Sequence, residues 1–66
     1  MNIIVNGENR EFKKGSSISE VLVKLSLEGK VMAAAVNMDI VKQNAWGSYV
    51  LNSGDKLELL DFVGGG

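Results

Sequence analysis

The sequence of 66 residues contains no cysteine and no histidine. The chain therefore cannot form a disulfide, and a structural zinc site would lack its usual ligands. Nucleophilic catalysis has no candidate either, because a serine needs a neighbouring base and the serines fall in predicted caps and turns. The eight acidic residues are dispersed along the chain. We expect no catalytic side chain, no metal site and no bound cofactor, and hence a protein that is not an enzyme.

Long apolar runs and a strong net charge are missing as well. No apolar run approaches the roughly 18 residues of a membrane span, and the N-terminal residues lack the basic and apolar blocks of a signal peptide. The net charge is −1 and the pI is near 5.2, which argues against nucleic acid or an anionic membrane as the main partner. With 45% apolar residues, the composition is that of one globular domain, which we expect to be cytoplasmic.

The first twelve residues predict a β-hairpin. Met1, Ile3 and Val5 alternate with other residues in the period of a strand. Asn6–Gly7 follows directly and is a strong hairpin signal, because both residues accept a positive φ. A two-residue loop would pair Phe12 with Met1, and a four-residue loop would pair it with Ile3. Both registers place Phe12 on the core face.

A helix with two marked ends is predicted next, over Ile18–Leu27. Ser17 and Glu20 have the spacing of a capping box at its start. Gly29 suits the left-handed C′ position at its end. Apolar residues recur between these signals at the spacing of one helical face, at positions Ile18, Val21, Leu22 and Leu25.

The remainder of the chain predicts further strands. Val31–Asn37 is a continuous apolar run, which is typical of a strand buried on both faces. A turn at Asn37–Asp39 leads to a short strand at Ile40–Val41, and Trp46 is interpreted as a cover over one end of the core. The order β-β-α-β-β-β predicts a two-layer α+β domain, with a mixed sheet packed on one main helix and the last strand parallel to the first.

The last strand, Leu57–Val63, presents two different faces. With Leu57 and Leu59 in the core, alternation places Glu58, Leu60 and Phe62 on the outer face. Large apolar residues two positions apart on an open face favour docking of a partner over scattered surface hydrophobes.

Three glycines, Gly64, Gly65 and Gly66, follow this strand. Glycine gains nothing for stability here, because it loses more backbone freedom on ordering than any other residue. A tail without Cβ atoms can instead thread a narrow channel and leave a terminal carboxylate unhindered. We expect a single domain over residues 1–66 with a flexible tail over residues 64–66. The carboxylate of Gly66 is then the group available for chemistry, and the domain is a substrate of other proteins.

The whole sequence resembles the β-grasp sulfur carriers, most closely the ThiS family of thiamin biosynthesis. The likeness rests on Trp46, on the terminal Gly-Gly and on the segments MNIIVNG, KKGSSISEVL, AAAVNMDIV and SGDKLELL. This resemblance implies a β-grasp (ubiquitin-like) fold. It also implies that an E1-like, ThiF-like adenylyltransferase that uses ATP and magnesium adenylates Gly66. Sulfur from a donor such as a cysteine desulfurase then forms a thiocarboxylate, which a ThiG-like thiazole synthase consumes.

Two other functions remain open at the level of sequence. The chain could serve as the sulfur carrier of another pathway, for molybdopterin, cysteine or tRNA thiolation. It could also be a ubiquitin-like interaction module that is never activated, which shares the fold and the apolar sheet face but needs no free Gly-Gly.

Overall fold

The computed structural model describes the backbone of residues 1–62 and the side chains of residues 1–60. In chain order the elements are β1 (Asn2–Val5), β2 (Glu8–Glu11), α1 (Ile18–Lys24), β3 (Val31–Val36), β4 (Asp39–Val41), the 3₁₀ helix (Gln43–Ala45) and β5 (Lys56–Phe62).

The five strands form one mixed sheet in the order β2-β1-β5-β3-β4. β5 lies in the centre, parallel to β1 and antiparallel to β3. The crossover from β1 to the parallel β5 includes α1, as the sequence order predicts. The predicted α+β architecture, with a mixed sheet and one main helix, is confirmed.

The β1–β2 hairpin settles the register that the sequence left open. Val5 pairs with Glu8, so the loop is the two-residue Asn6–Gly7. The backbone N–H of Phe12 donates to the carbonyl of Met1 at 2.8 Å, as the two-residue alternative predicts. Both turn residues have a positive φ, 48° and 85°, which the hairpin turn of type I′ requires.

Helix α1 begins as predicted but ends earlier. The Ser17 side chain accepts from the backbone N–H of Glu20, and the Glu20 side chain accepts from that of Ser17, at 3.2 and 2.8 Å. The predicted end at Leu27 with Gly29 as C′ is wrong. Ser26, with a φ of 60°, takes the left-handed position, and the N–H groups of Ser26 and Leu27 donate to the carbonyls of Val23 and Leu22. These two hydrogen bonds form a Schellman motif, which stops the helix at Lys24.

Strand β3 is not buried along both faces, contrary to the prediction from its apolar run. Met32 is 56% exposed, whereas Ala34, Ala35 and Val36 are buried. The following turn is Asn37–Met38, so that Asp39 already belongs to β4. Strand β3 is therefore exposed at Met32, although Val31 before it is buried, and it is buried on both faces from Ala34 to Val36.

Trp46 is a core residue, as the sequence suggested. Its side chain is buried, and its Nε1–H donates to the carbonyl of Val41 at 2.8 Å. The hydrogen bond satisfies the polar atom of the indole, so the ring can pack at the end of the core. The core lies between α1 and one face of the sheet and is built mainly from Ile3, Val5, Phe12, Ile18, Val21, Leu22, Val31, Ala34, Val36, Trp46, Leu51, Leu57 and Leu59.

Candidate functional site: the outer face of the sheet

The two faces of β5 divide as the alternation predicts. Leu57 and Leu59 are buried in the core, at 0% and 3% exposure. Between and beyond them, Glu58 is exposed and Leu60 is 42% exposed. Phe62 belongs to the strand, but its side chain lies outside the described residues. Two of the three predicted docking residues, Glu58 and Leu60, therefore lie on the sheet face opposite the core.

Strand register brings further residues to the same face. Ala35 lies opposite Glu58, and Ala33 lies opposite Leu60. Ile40 on β4 lies opposite Ala35, and Ile4 on β1 lies opposite Lys56. Ile40 is 66% exposed and Ile4 is half-buried. We call this surface the outer face, and its residues are Ile4, Ala33, Ala35, Ile40, Lys56, Glu58 and Leu60.

A depression of about 500 Å³ lies at one end of the outer face. Its lining combines residues of β1 and β5 with residues of the two hairpin turns: Ile4, Gly7, Met38, Lys56 and Glu58. Among the described residues, Lys56 and Glu58 take part in no salt bridge. The ion pair found in this part of the chain joins Arg10 to Glu8 on β2. The outer face thus presents apolar surface beside one positive and one negative group.

Two asparagines that sequence reasoning missed fix β5 to its neighbours. The Asn6 Oδ1 atom accepts from the backbone N–H of Leu59 at 2.8 Å, and the Asn37 Oδ1 atom accepts from that of Lys56 at 3.0 Å. Both asparagines have a left-handed backbone, with φ values of 48° and 50°. In the sequence, the only indication of this role is that each asparagine stands at the end of a predicted strand and begins a tight turn. The contact with β5 itself depends on how distant strands pair, which the sequence does not specify. These hydrogen bonds set the position of the residues that form the outer face.

The described residues offer no constellation for metal binding. No group of three or more acidic side chains is placed to share a metal ion within residues 1–60, whose side chains the structure describes. Every buried side-chain nitrogen or oxygen there has a hydrogen-bond partner. No helix in this part of the chain is long and apolar enough to cross a membrane.

The predicted site of modification lies beyond this region. Gly64, Gly65 and Gly66 are outside the described residues, so the expected flexibility of the tail and the role of Gly66 stay predictions. The strand that leads to them, β5, is held in the centre of the sheet from Lys56 to Phe62. In the sequence, one residue, Val63, separates the end of this strand from the tail.

Comparison with solved structures identifies close relatives of the fold. The crystal structure of the thiamine biosynthesis protein ThiS from Geobacter metallireducens superimposes with a TM-score of 0.82 at 27% identity, and the match covers 100% of both chains. The solution structure of a thiamine biosynthesis protein from the same organism gives a TM-score of 0.77 at 26% identity, over 100% of this chain and 88% of that one. These matches confirm the β-grasp fold that the resemblance implied.

Sequence comparison gives two kinds of relative. Over 100% of both chains, the sequence is 27% identical to the sulfur carrier protein ThiS of Escherichia coli. Over 66 residues it is 33% identical to a thiazole synthase of Paramagnetospirillum magneticum and 30% identical to one of Magnetococcus marinus. The chain spans only 20% of the length of each of these thiazole synthases. The model of the ThiS family matches residues 3–66, and the chain belongs to the ThiS family.

Proposed function

We propose that this chain is a sulfur carrier of thiamin biosynthesis, in which the carboxylate of Gly66 carries the sulfur. The observation that carries the proposal is the extent of the family match, which runs from residue 3 through Gly66 and so includes the glycine tail. The full-length similarity to the Escherichia coli sulfur carrier supports the same role.

The proposed chemistry begins with activation of the Gly66 carboxylate. A free carboxylate is a poor electrophile and must be activated. An E1-like adenylyltransferase, which uses ATP and magnesium, joins the AMP part of ATP to the carboxylate and releases pyrophosphate. The terminal sulfur of a persulfide, supplied through a donor such as a cysteine desulfurase, then attacks the carbonyl carbon and AMP leaves. A thiol reductant cleaves the S–S bond of the resulting acyl disulfide. The product is a thiocarboxylate, and its sulfur passes to the thiazole ring. The nucleotide and the metal belong to the activating enzyme, and this chain acts as a protein substrate rather than an enzyme.

Docking is the contribution of the folded domain in this scheme. Leu60 and Ile40 offer exposed apolar surface, and Glu58 adds a charge beside it. We assign contact with the partners to Glu58, Leu60 and Phe62, which precede the tail on β5. Anchoring immediately before the tail limits the volume that Gly66 can sample and so raises its effective concentration at the active site of the partner.

Thiazole synthase is the partner with direct support from relatives, because two proteins of that name contain a region similar to this whole chain. The adenylyltransferase and the desulfurase are proposed because the carboxylate of Gly66 must be activated and then supplied with sulfur. A cytoplasmic setting, with ATP at hand, suits that chemistry. Sulfur carriage for another pathway and binding without activation are the competing functions.

Complementation distinguishes the pathways. A bacterial strain without its own ThiS, supplied with this chain and the matching adenylyltransferase and thiazole synthase, should grow without thiamin. A strain deficient in the molybdopterin sulfur carrier should stay deficient under the same conditions. Rescue of the second strain alone would reassign the chain to the other pathway. A chain that ends at Gly64 serves as the control and should rescue neither strain.

A further inference from the structure

The two hairpin turns of the sheet share one backbone shape but differ in sequence. Asn6–Gly7 connects Val5 to Glu8, with φ values of 48° and 85°. Asn37–Met38 connects Val36 to Asp39, with φ values of 50° and 74°. The second position of such a turn requires a left-handed backbone, for which glycine is the standard residue. The β3–β4 hairpin has methionine there.

This methionine is unfavourable for the fold. A side chain in the left-handed region brings its Cβ close to the carbonyl oxygen, a strain that Gly7 avoids in the matching turn. Packing within the domain does not offset the strain, because Met38 is 86% exposed. Strained residues that the fold does not need are concentrated at sites of function. We therefore expect the Met38 side chain to contact another molecule.

The surroundings of Met38 indicate what kind of contact it makes. It lines the depression of about 500 Å³ together with Ile4, Lys56 and Glu58. Ile40, two residues further along the chain and 66% exposed, continues the exposed apolar surface along the edge strand β4. Methionine has an unbranched, polarizable side chain that adapts to the shape of a partner. An apolar side chain of a partner fits this depression, with an acidic group near Lys56 and a basic group near Glu58.

We propose that Met38 is a docking residue for thiazole synthase, which inserts an apolar side chain between Met38 and Ile4. The inference rests on the proposed function and deepens it by naming the partner of this end of the outer face. The choice of thiazole synthase follows from the relatives, since two thiazole synthases hold a region similar to this whole chain within one polypeptide. In this proposal, methionine at position 38 lowers the stability of the free domain and strengthens its binding to thiazole synthase.

The test uses the full chain, purified thiazole synthase and three variants. Met38→Gly removes both the strain and the side chain, and should raise the thermal midpoint by a few degrees while weakening the Kd about tenfold. Met38→Ala keeps the strain and should weaken the Kd to a similar extent without raising the midpoint. Met32→Ala changes the exposed methionine at the opposite end of β3 and should leave the Kd unchanged. Calorimetric titration gives the Kd, and scanning calorimetry gives the midpoint.

Several results would overturn the proposal. One is a Kd of Met38→Gly within twofold of that of the unchanged chain, and another is an equal weakening of the Kd by Met32→Ala. A third contrary result is a shift from dimer to monomer in sedimentation of Met38→Gly, which would assign the depression to a second copy of the chain. The titration uses unmodified chain, so it does not depend on sulfur loading. A normal Kd with normal thiocarboxylate formation refutes the docking inference alone, and absent thiocarboxylate refutes the proposed function.

Discussion

Asn6 and Leu59, which are 53 positions apart in sequence, are joined by a hydrogen bond of 2.8 Å from the Leu59 backbone N–H to the Asn6 side chain. The bond lies where β1 ends in its turn and β5 continues toward the tail. It closes the ladder between the two parallel strands, whose paired residues are few. One side chain therefore adds to the backbone hydrogen bonds, Ile4 N–H to Asp55 and Asn6 N–H to Leu57, that join the N-terminal hairpin to β5 and the turn before it.

Substitution of Asn6 should loosen this coupling. Asn6→Ala removes the hydrogen-bond acceptor. It also leaves at the left-handed position a residue that lacks the polar side chain which makes this backbone tolerable for asparagine. The substitution should lower the free energy of unfolding by about 1–3 kcal/mol. Asn6→Asp keeps an acceptor oxygen and tolerates the same backbone, so its loss should be smaller. Urea unfolding followed by circular dichroism measures both. Equal losses in the two variants would show that the hydrogen bond does not matter.

Leu59 and Leu60 form a matched pair for the two faces of β5. Leu59 is 3% exposed, and Leu59→Ser should cost about 3 kcal/mol or more because it leaves a cavity and buries a hydroxyl. Leu60→Ser should cost less than about 1 kcal/mol, since its side chain already contacts water. The same Leu60→Ser variant should weaken binding to the adenylyltransferase.

The readouts are chemical unfolding and the Kd from a titration with the adenylyltransferase. Unfolding of the Leu60→Ser variant under conditions where the unchanged chain is folded would mean that Leu60 is a core residue. A Kd equal to that of the unchanged chain would remove Leu60 from the docking surface.

The cap of helix α1, on the core side of the sheet, allows the stability of the domain to be lowered without a change to the outer face. Ser17→Ala removes the hydroxyl that accepts from Glu20 and should destabilise the domain by about 1 kcal/mol, or several degrees in thermal midpoint. Helix α1 covers the core face of the sheet, so partner binding at the outer face should be unchanged at a temperature where the variant is folded. A large loss of binding with only a small loss of stability would place a partner on the helix side.

Much of this fold follows from local signals in the sequence. The alternation of Leu57 and Leu59 with Glu58 and Leu60 identified both faces of the central strand, and Asn6–Gly7 identified the first hairpin. The capping box of Ser17 and Glu20 identified the start of the helix. Each of these features depends on residues within a few positions of one another.

The features that were missed depend on less typical residues or on distant contacts. The end of α1 uses a left-handed Ser26, although Gly29 is the residue that a C′ position favours. The exposure of Met32 depends on what covers the start of β3, which an apolar run does not specify. Of the candidate site, alternation located Glu58 and Leu60, but the contacts of Asn6 and Asn37 with β5 required the strand register.

The glycine tail should matter for chemistry and hardly for stability. Replacing Gly65 by a bulky residue should slow adenylation, because a side chain next to Gly66 obstructs entry into a narrow active site. The thermal midpoint should change by less than about 1 °C, since glycine has no side chain to bury and its replacement removes no packed group. Pyrophosphate release, measured with the adenylyltransferase and ATP, gives the rate. A rate equal to that of the unchanged chain would argue against threading of the tail.

Mass spectrometry of the Gly66 carboxylate tests sulfur carriage most directly. After incubation with the adenylyltransferase, ATP, magnesium and a sulfur donor, the intact chain should gain the mass of one sulfur-for-oxygen exchange. Fragmentation should locate the exchange on Gly66, and a chain that ends at Gly64 should remain unmodified. Sulfur incorporation that persists after deletion of Gly65 and Gly66, or that maps to a side chain, would contradict a carrier that works through its terminal thiocarboxylate.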